Sequence, residues 1–238
     1  MKILDLYCKA GGASMGLHNA FPDAEITGVD IKPQPNYPFK FMQGDALEFI
    51  LCGFDLIWAS PPCQAHTTLK GAAWDKTAYA ERHPNLIPQT RERLITSGIP
   101  YIIENVPGAP LLNPIMLCGS QFGLGTNEGH QLRRHRLFET SFGVKALGQC
   151  YHTAPTIGIF GNKARNTAEE KRHYSKPKNT RGEPPNTILL TLQQAQTAMR
   201  INWMSFAELS EAIPPAYAEY LGKQFILCRH DVCERRYE

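Results

Sequence analysis

The chain lacks an apolar segment long enough to cross a bilayer, and its first residues form neither a long hydrophobic stretch nor a small-residue cleavage site. We therefore expect a cytoplasmic protein that makes no use of a membrane. Its seven cysteines are an odd number with irregular spacing, which argues against a disulfide framework and predicts reduced thiols. The sequence contains no internal repeat, and 42% of its residues are hydrophobic. We therefore expect one main domain with a single core.

A large excess of either charge is also missing, because the net charge is only +3. The positive charges are nevertheless concentrated in one stretch, whose only acidic residues are Glu139, Glu169 and Glu170. Its basic residues are Arg133, Arg134, Arg136, Lys145, Lys163, Arg165, Lys171, Arg172, Lys176, Lys178 and Arg181. Such a stretch either is a solvated surface or binds a polyanion. Aromatic rings among the charges, as at Tyr151 and Tyr174, favour nucleic acid.

Short apolar stretches alternate with helical periodicity over the first half of the chain. We predict strands at residues 3–7, 26–30, 39–42, 54–59 and 101–103. We predict helices at residues 14–20, 46–50 and 89–95, and again at 193–199 and 216–226. This alternation is typical of an α/β fold with a doubly wound, mostly parallel sheet.

Glycines and an aspartate follow the first two predicted strands. Cys8-Lys9-Ala10-Gly11-Gly12 ends the first strand, and glycines at a strand-to-helix turn let the backbone approach a ligand closely. Asp30 ends the second strand, where a carboxylate can accept hydrogen bonds from ribose hydroxyls. Capping of a following helix is the alternative role for Asp30 and for Asp45. The loop lacks Gly-x-Gly-x-x-Gly, which argues against a nucleotide-dependent oxidoreductase.

The segment Pro61-Pro62-Cys63-Gln64 places a thiol directly after the apolar residues 54–59. Reacting groups of open α/β sheets lie at the carboxyl ends of strands, so Cys63 is the candidate nucleophile; a simple buried thiol is the alternative. Glu104 ends another predicted strand and either addresses the same substrate or forms a strand-end salt bridge. Residues 64–85 are either a loop that closes over substrate or an ordinary solvent loop.

Two arginines alternate with other residues in a strand-like segment at residues 133–138. Arg134 and Arg136 would lie on one face of that strand, and His135 and Leu137 on the other. Two guanidinium groups on one face can hold a phosphate or a carbonyl oxygen.

These motifs, in this order, resemble those of the DNA cytosine-5 methyltransferases, in a compact form similar to phage and bacterial orphan methylases. The matching segments are residues 5–12, Gly28-Val29-Asp30-Ile31, Gly44-Asp45-Ala46, Pro61-Pro62-Cys63-Gln64, Glu104-Asn105-Val106, Arg134-His135-Arg136 and Ile213-Pro214-Pro215-Ala216. The resemblance implies a Rossmann-like class I methyltransferase fold and S-adenosylmethionine as the cofactor. It also implies a bacterial or phage-infected cell as the setting.

The resemblance implies a role for each matching residue, with Tyr7 against the adenine, Asp30 on the ribose and Asp45 near the adenine amino group. The implied catalytic residues are Cys63, Glu104, Arg134 and Arg136. The implied cofactor-binding residues are Asp5, Tyr7, Cys8, Ala10, Gly11, Gly12, Asp30, Ile31, Asp45, Ala46 and Pro61. Double-stranded DNA is the implied partner, and the residues expected to contact it are Gln64, Lys70, Lys163, Arg165, Lys171 and Arg172. We expect a monomer without an obligatory protein partner.

In the chemistry that the resemblance implies, the Cys63 thiolate adds to C6 of cytosine while Glu104 bonds the N3 and amino edge of the base. The resulting enamine takes a methyl group at C5, and loss of the C5 proton expels the cysteine. Arg136, helped by Arg134, binds O2 of the base, which must leave the DNA helix to reach the pocket.

We divide the chain into a catalytic and cofactor-binding core at residues 1–140, a small basic target-recognition region at 141–190, and carboxy-terminal helices at 191–238 that return to the core. The recognition region is short, so few side chains can reach base edges. We therefore predict a brief recognition sequence or loose specificity.

Three residues depart from the family pattern. Lys9 replaces a glycine in the cofactor loop, Leu132 replaces a glutamine, and Glu211 replaces an asparagine before the final motif. A cation beside a sulfonium is unfavourable unless it points away or meets a carboxylate. An altered alkyl donor with an extra carboxylate is therefore a further hypothesis.

Two other functions stay open. The same chemistry on RNA is one, because a branch of the family acts on transfer RNA and a basic patch does not distinguish the two polymers. A non-catalytic nucleic-acid-binding relative is the other, although a pure binder would not need the four catalytic residues together.

We assign no metal ligands from the sequence. Cys228, His230 and Cys233 have ligand types at tight spacing and could join Cys150 or His152. No second spaced pair accompanies them, so accidental clustering is the favoured interpretation. The remaining cysteines at positions 8, 52 and 118 are interpreted as core or loop thiols.

Overall fold

The computed structural model describes residues 1–66, 76–160 and 190–234. Its strands are β1 (Lys2–Leu6), β2 (Glu25–Asp30), β3 (Lys40–Gln43), β4 (Leu56–Ala59), β5 (Tyr101–Asn105), β6 (Ile115–Leu117), β7 (Gln131–Leu132), β8 (Arg136–Thr140) and β9 (Thr156–Ile157). Its helices are α1 (Gly12–Ala20), α2 (Lys76–Arg82), α3 (Ile87–Ser97), α4 (Leu192–Met199), α5 (Phe206–Glu211) and α6 (Pro215–Glu234). Short 3₁₀ turns occupy Gln64–His66 and Gly119–Phe122. Among these residues, no helix is long and apolar enough to span a membrane.

Seven strands form the central sheet in the order β3-β2-β1-β4-β5-β8-β6. The first five are parallel, and β8 and β6 join antiparallel to their neighbours. The order reverses between β1 and β4, which creates a crevice at the carboxyl ends of these strands. The prediction of a doubly wound, mostly parallel α/β sheet is confirmed.

The period-two alternation of the strands sends apolar side chains to both faces of the sheet. Ile3 and Trp58 point into one core, together with residues of α1 and α6, whereas Leu4 and Ile57 point into the other, together with residues of α3. All four of these side chains are fully buried. Burial on both faces explains why strands such as Leu56–Ala59 are continuously apolar.

Helix α6 packs closely against α1 and so fixes the start of α1 beside the crevice. A Cβ atom on Gly16 would lie 2.0 Å from the carbonyl oxygen of Pro215, and one on Gly12 would lie 2.3 Å from that of Ile213. Both contacts are too short for any side chain, so glycine is required where the two segments meet.

Two predicted elements are wrong. Residues 46–50 form turns rather than a helix, because Asp45 accepts a hydrogen bond from the backbone N–H of Leu47 (2.8 Å) in a local turn. The strand predicted at residues 133–138 begins only at Arg136. In residues 64–85, the described part contains the 3₁₀ turn and α2, so this segment is not wholly a loop.

Candidate active site

A cavity of about 410 Å³ opens at the carboxyl ends of β1, β2, β4 and β5. It collects residues from sequence segments that lie far apart, because parallel strands end at the same edge of the sheet. The predicted cofactor-binding residues that line it are Asp5, Tyr7, Cys8, Gly12, Asp30, Ile31, Asp45, Ala46 and Pro61. Cys63, Gln64, Glu104 and Arg136 line the same cavity.

The loop between β1 and α1 has an unusual backbone. Tyr7 and Lys9 adopt positive φ angles of 59° and 48°, which cost energy for residues with a side chain. Hydrogen bonds hold this path: the N–H of Cys8 donates to the carbonyl of Val29 (3.1 Å), and that of Lys9 donates to Asp30 Oδ2 (3.1 Å). The loop is therefore shaped by the second strand as well as by its own sequence.

Ala10 and Gly11 were predicted to contact the cofactor, but neither lines the cavity. The carbonyl of Ala10 accepts a hydrogen bond from Trp203 Nε1 (2.9 Å). The space beside the Gly11 α-carbon is filled by Tyr37 and Pro38, at 2.8–3.0 Å from where a Cβ would lie. These two residues shape the turn rather than touch the cavity.

Asp5 is a buried carboxylate of the cavity with a perturbed pKa. Ser14 Oγ donates a 2.5 Å hydrogen bond to its Oδ2, whereas Oδ1 is buried without a partner among the described residues. Burial, reinforced by repulsion from Asp30 and opposed by Ser14, raises the pKa of Asp5 to about 7. An unpartnered buried oxygen in a cavity wall is a binding site for a donor group.

Asp30 and Asp45 present two further carboxylates. Asp30 is 4% exposed, and its Oδ1 accepts from the N–H of Lys32 (3.0 Å). Tyr7 stands at the same end of the cavity and is held by a 2.9 Å hydrogen bond between its hydroxyl and Thr90 Oγ1. This end of the cavity is anionic and carries an aromatic ring.

The thiol of Cys63 lies in a braced extension of β4. Asn105 Nδ2 donates to the carbonyl of Pro61 (2.9 Å), and the N–H of His66 donates to the carbonyl of Cys63 (2.8 Å). Burial, and then the charge of Glu104, raises the pKa of Cys63, and Arg136 opposes the shift. The thiol form of Cys63 is therefore favoured in the free protein. Neutralisation of Glu104 would remove one of the two causes of the raised pKa.

Glu104 and Arg136 form an ion pair across β5 and β8. Arg136 Nε lies 3.2 Å from Glu104 Oε1, and both side chains are largely buried. Burial raises the pKa of Glu104, while Arg136 and a hydrogen bond from Ser60 oppose the rise. A buried carboxyl that holds a proton more readily than usual can act as a hydrogen-bond donor to a substrate.

The structure does not bring Arg134, which was predicted to help Arg136 hold the base, to the cavity wall. Arg134 is 3% exposed and does not line the cavity. Its guanidinium donates to the carbonyls of Ala212 (3.0 Å), Ile159 (3.2 Å) and Ser210 (2.7 Å). The segment before Arg136 is not a strand, so the alternation predicted for Arg134 and Arg136 does not apply there. Arg134 clamps the segment before α6 against the sheet.

Two departures from the family pattern meet in space. Lys9 Nζ lies 3.1 Å from Glu211 Oε2, and both residues line the cavity. The carboxylate that replaces asparagine thus neutralises the cation that replaces glycine, which removes the reason for expecting an altered alkyl donor.

Residues 210–213 also line the cavity, although no role was assigned to them from the sequence motifs. A signal was present, because Ile213-Pro214-Pro215-Ala216 matches the final family motif. Five residues predicted to bind DNA lie outside the described residues: Lys70, Lys163, Arg165, Lys171 and Arg172.

No family model and no curated protein matches the chain. A protein described as a candidate DNA modification methyltransferase encoded within an E. coli prophage has a similar structure, with a TM-score of 0.61, 14% identity, and coverage of 97% of this chain and 99% of that chain. The Entamoeba histolytica methyltransferase EhMeth has a TM-score of 0.54 and 12% identity, over 95% of this chain and 98% of that chain. The chain therefore has the fold of Rossmann-like methyltransferases.

Proposed function

We propose that the protein methylates C5 of cytosine in duplex DNA, with S-adenosylmethionine as the methyl donor and Cys63 as the nucleophile. The observation that carries this proposal is the convergence of a thiol, a buried acid and an arginine on a cavity whose other end is anionic. The prophage protein of similar structure is described as a candidate DNA modification methyltransferase, which supports DNA as the polymer.

The anionic end fits S-adenosylmethionine, which carries two positive groups and supplies an electrophilic methyl group when bound. The unpartnered Oδ1 of Asp5 can accept from its ammonium group. Asp30 retains acceptor capacity for ribose hydroxyls, and Tyr7 and Asp45 can contact the adenine.

The other end of the cavity fits cytosine. The Cys63 sulfur forms a bond to C6 as the thiolate, while a protonated Glu104 donates to N3 and stabilises the charge that develops in the ring. The electron pair that reaches C5 then forms a bond to the methyl carbon as the bond between that carbon and the sulfonium sulfur breaks, so that S-adenosylhomocysteine leaves. Loss of the C5 proton restores the double bond and breaks the C–S bond. Arg136, beside Glu104, holds the base at O2.

A base inside a duplex cannot reach a thiol at this depth, so the target nucleotide must flip out of the helix. Gln64, next to Cys63, also lines the cavity, and in this proposal it contacts the DNA beside the flipped base. In this proposal, residues 1–140 and 191–238 form the catalytic unit, and residues 141–190 recognise DNA in the cytoplasm as part of a monomer.

The test is to incubate the purified protein with S-adenosylmethionine and either duplex DNA or transfer RNA, and to analyse the nucleosides by mass spectrometry. We expect 5-methylcytosine from DNA, lost in Cys63→Ser and retained in Cys52→Ser, whose thiol is exposed and outside the cavity. The same product from RNA alone would move the substrate to RNA. No product from either polymer would favour a non-catalytic binding protein.

A further inference from the structure

Four side chains with soft or borderline donor atoms converge away from the cavity. They are Cys118, His135, Cys150 and His152, and one ligand atom from each lies within 4.8 Å of all the others. None of the four lines the candidate active site. We call this group the Cys-His cluster.

The antiparallel register of β6 and β8 explains half of the Cys-His cluster. Leu117 pairs with Arg136, so the next pair in the same register brings Cys118 opposite His135. Cys150 and His152 arrive from the connection between β8 and β9, with one residue between them. The fold thus joins three separate segments at one point.

The distances between the sulfur and nitrogen atoms of the cluster match those of a tetrahedral metal site. Cys150 Sγ lies 3.4 Å from His135 Nε2 and 3.5 Å from His152 Nε2, and Cys118 Sγ lies 3.9 Å from His152 Nε2. A tetrahedral zinc ion with its usual bond lengths separates a sulfur ligand from a nitrogen ligand by about 3.6 Å. All four ligand atoms can therefore reach one ion with small adjustments.

Hydrogen bonds alone explain the arrangement poorly. A ring nitrogen has one lone pair or one hydrogen, so His152 Nε2 cannot accept from Cys118 and also donate to Cys150. The other nitrogen of this ring, Nδ1, is buried without a hydrogen-bond partner among the described residues. Within the described part of the chain, the polar contacts of the His152 ring are thus two sulfur atoms, a poor environment for an imidazole unless a cation lies between them.

We propose that the Cys-His cluster binds one Zn²⁺ ion as a structural site. Two thiolates and two imidazoles make a closed set of four ligands, which is typical of structural rather than catalytic zinc. Cys118 is fully buried and receives a 3.5 Å contact from Ser120 Oγ, an outer hydrogen bond of the kind that steadies a thiolate ligand. Binding releases the two thiol protons to solvent.

Zinc at this point would hold the segment that carries the base-binding arginine. His135 lies between Arg134 and Arg136 in the chain, and its carbonyl accepts from Arg136 Nη1 (2.8 Å). The connection that carries Cys150 and His152 leads into β9, where the N–H of Arg133 donates to the carbonyl of Ile157 (3.0 Å). Zinc binding rests on the four ligands alone and does not depend on the proposed methyl transfer.

To test this proposal, the full-length chain is expressed with added zinc, purified and freed of unbound metal. The zinc that stays bound is then measured by elemental mass spectrometry. We expect one zinc per chain, and at least about tenfold less in Cys150→Ser and in His152→Asn, because each removes one of four ligands. The matched control is Cys52→Ser, because Cys52 is an exposed thiol outside the cluster. This variant should keep its zinc.

A second measurement uses the unaltered chain, so that a variant that fails to fold cannot obscure the result. The metal-free protein is titrated with Co²⁺, and we expect the absorption bands of a tetrahedral cobalt thiolate, which Zn²⁺ then abolishes by displacement. Zinc-free protein that gives no such bands would overturn the proposal. Full zinc content in both ligand variants would also overturn it.

Discussion

Cys63 and Cys150 are both partly buried thiols, but their neighbours differ in kind. Cys63 faces the carboxyl of Glu104, and this negative neighbour together with burial raises the pKa of the thiol. Cys150 lies within 3.5 Å of two imidazole nitrogens. A thiol beside a protonatable acid suits a covalent cycle, whereas a thiol among further soft donors suits a metal ion. The side chains around a cysteine decide its chemistry.

The two sites also differ in how the chain assembles them. The active-site residues lie at or just after the carboxyl ends of parallel strands, except Arg136, which begins the antiparallel strand β8. The Cys-His cluster depends on the pairing of β6 with β8 and on a long connection. Substitutions in the candidate active site should leave the Cys-His cluster intact, and the reverse should also hold. The predictions below test whether the two sites are separate in this sense.

The largest effect is expected for Glu104→Gln. Glutamine cannot donate a carboxyl proton to N3 of the base, so methylation should slow by about 10²–10⁴-fold. Removal of the negative charge should lower the pKa of Cys63, so that iodoacetamide alkylates Cys63 faster at a given pH. Glu92→Gln, on the exposed face of α3, serves as the control. Unchanged alkylation would show that Glu104 does not control the thiol.

The next effect is expected for Arg134→Ala, which should damage both sites. Loss of the guanidinium leaves the carbonyls of Ile159, Ser210 and Ala212 without their donor and should lower the free energy of unfolding by roughly 3–5 kcal/mol. Arg134→Lys should restore little, because one ammonium cannot replace a planar fork with three partners. Urea unfolding measures both variants, and full rescue by lysine would contradict the clamp role.

The active site was more predictable from the sequence than the Cys-His cluster, and the reason is physical. Cys63 follows the apolar strand β4 and Glu104 lies near the end of β5, so local pattern and the geometry of parallel sheets suffice to bring them together. The strand predicted at residues 133–138 was wrong in its first half, because period-two alternation was assumed for residues that precede the strand. The helix predicted at residues 46–50 was wrong because the local hydrogen bond between Asp45 and the N–H of Leu47, which favours a turn, was not considered.

The Cys-His cluster was out of reach because register is not a local property. Cys150 and His152 attracted attention as ligand types, but the sequence offered Cys228 and Cys233 as partners. The structure instead supplies Cys118 and His135 through the antiparallel pairing of β6 and β8. A strand shifted by one residue would separate them.

Removal of metal should have a smaller effect than the loss of Arg134. A chelator that strips the Cys-His cluster should lower Tm by several degrees, because a ligand bound only by the folded state stabilises it. Cys63→Ser should show the same shift as the unaltered chain, since Cys63 is not in the cluster. His152→Asn should start at the lower Tm and respond little to chelator. An equal shift in that variant would place the metal elsewhere.

The pH dependence of cofactor binding tests Asp5. Its pKa of about 7 means that the carboxylate form, which attracts an ammonium group, grows as pH rises through neutrality. The affinity for S-adenosylmethionine should therefore increase by roughly fourfold from pH 6 to pH 8, because the gain in carboxylate is partly offset by deprotonation of the α-amino group of the ligand, whose pKa is about 7.7–8.0. Asp5→Asn should bind more weakly at pH 8 and lose most of this dependence. Calorimetry provides the measurement, and an unaltered pH profile in Asp5→Asn would assign the dependence to another group.

The smallest effect is expected for Lys9→Gly. The ion pair of Lys9 with Glu211 is about half exposed, and such pairs contribute less than about 1 kcal/mol. Lys9 also has a φ of 48°, a conformation that glycine adopts without cost, so relief of backbone strain should offset the lost pair. Affinity for S-adenosylmethionine should change by less than about threefold, and the group transferred to the base should still be a methyl group.

The double variant Lys9→Gly with Glu211→Asn restores the family residues at both positions and should behave like the unaltered chain. A strong loss of binding in Lys9→Gly that the double variant rescues would show that the pair shapes the cofactor site, rather than merely cancelling two charges at its rim.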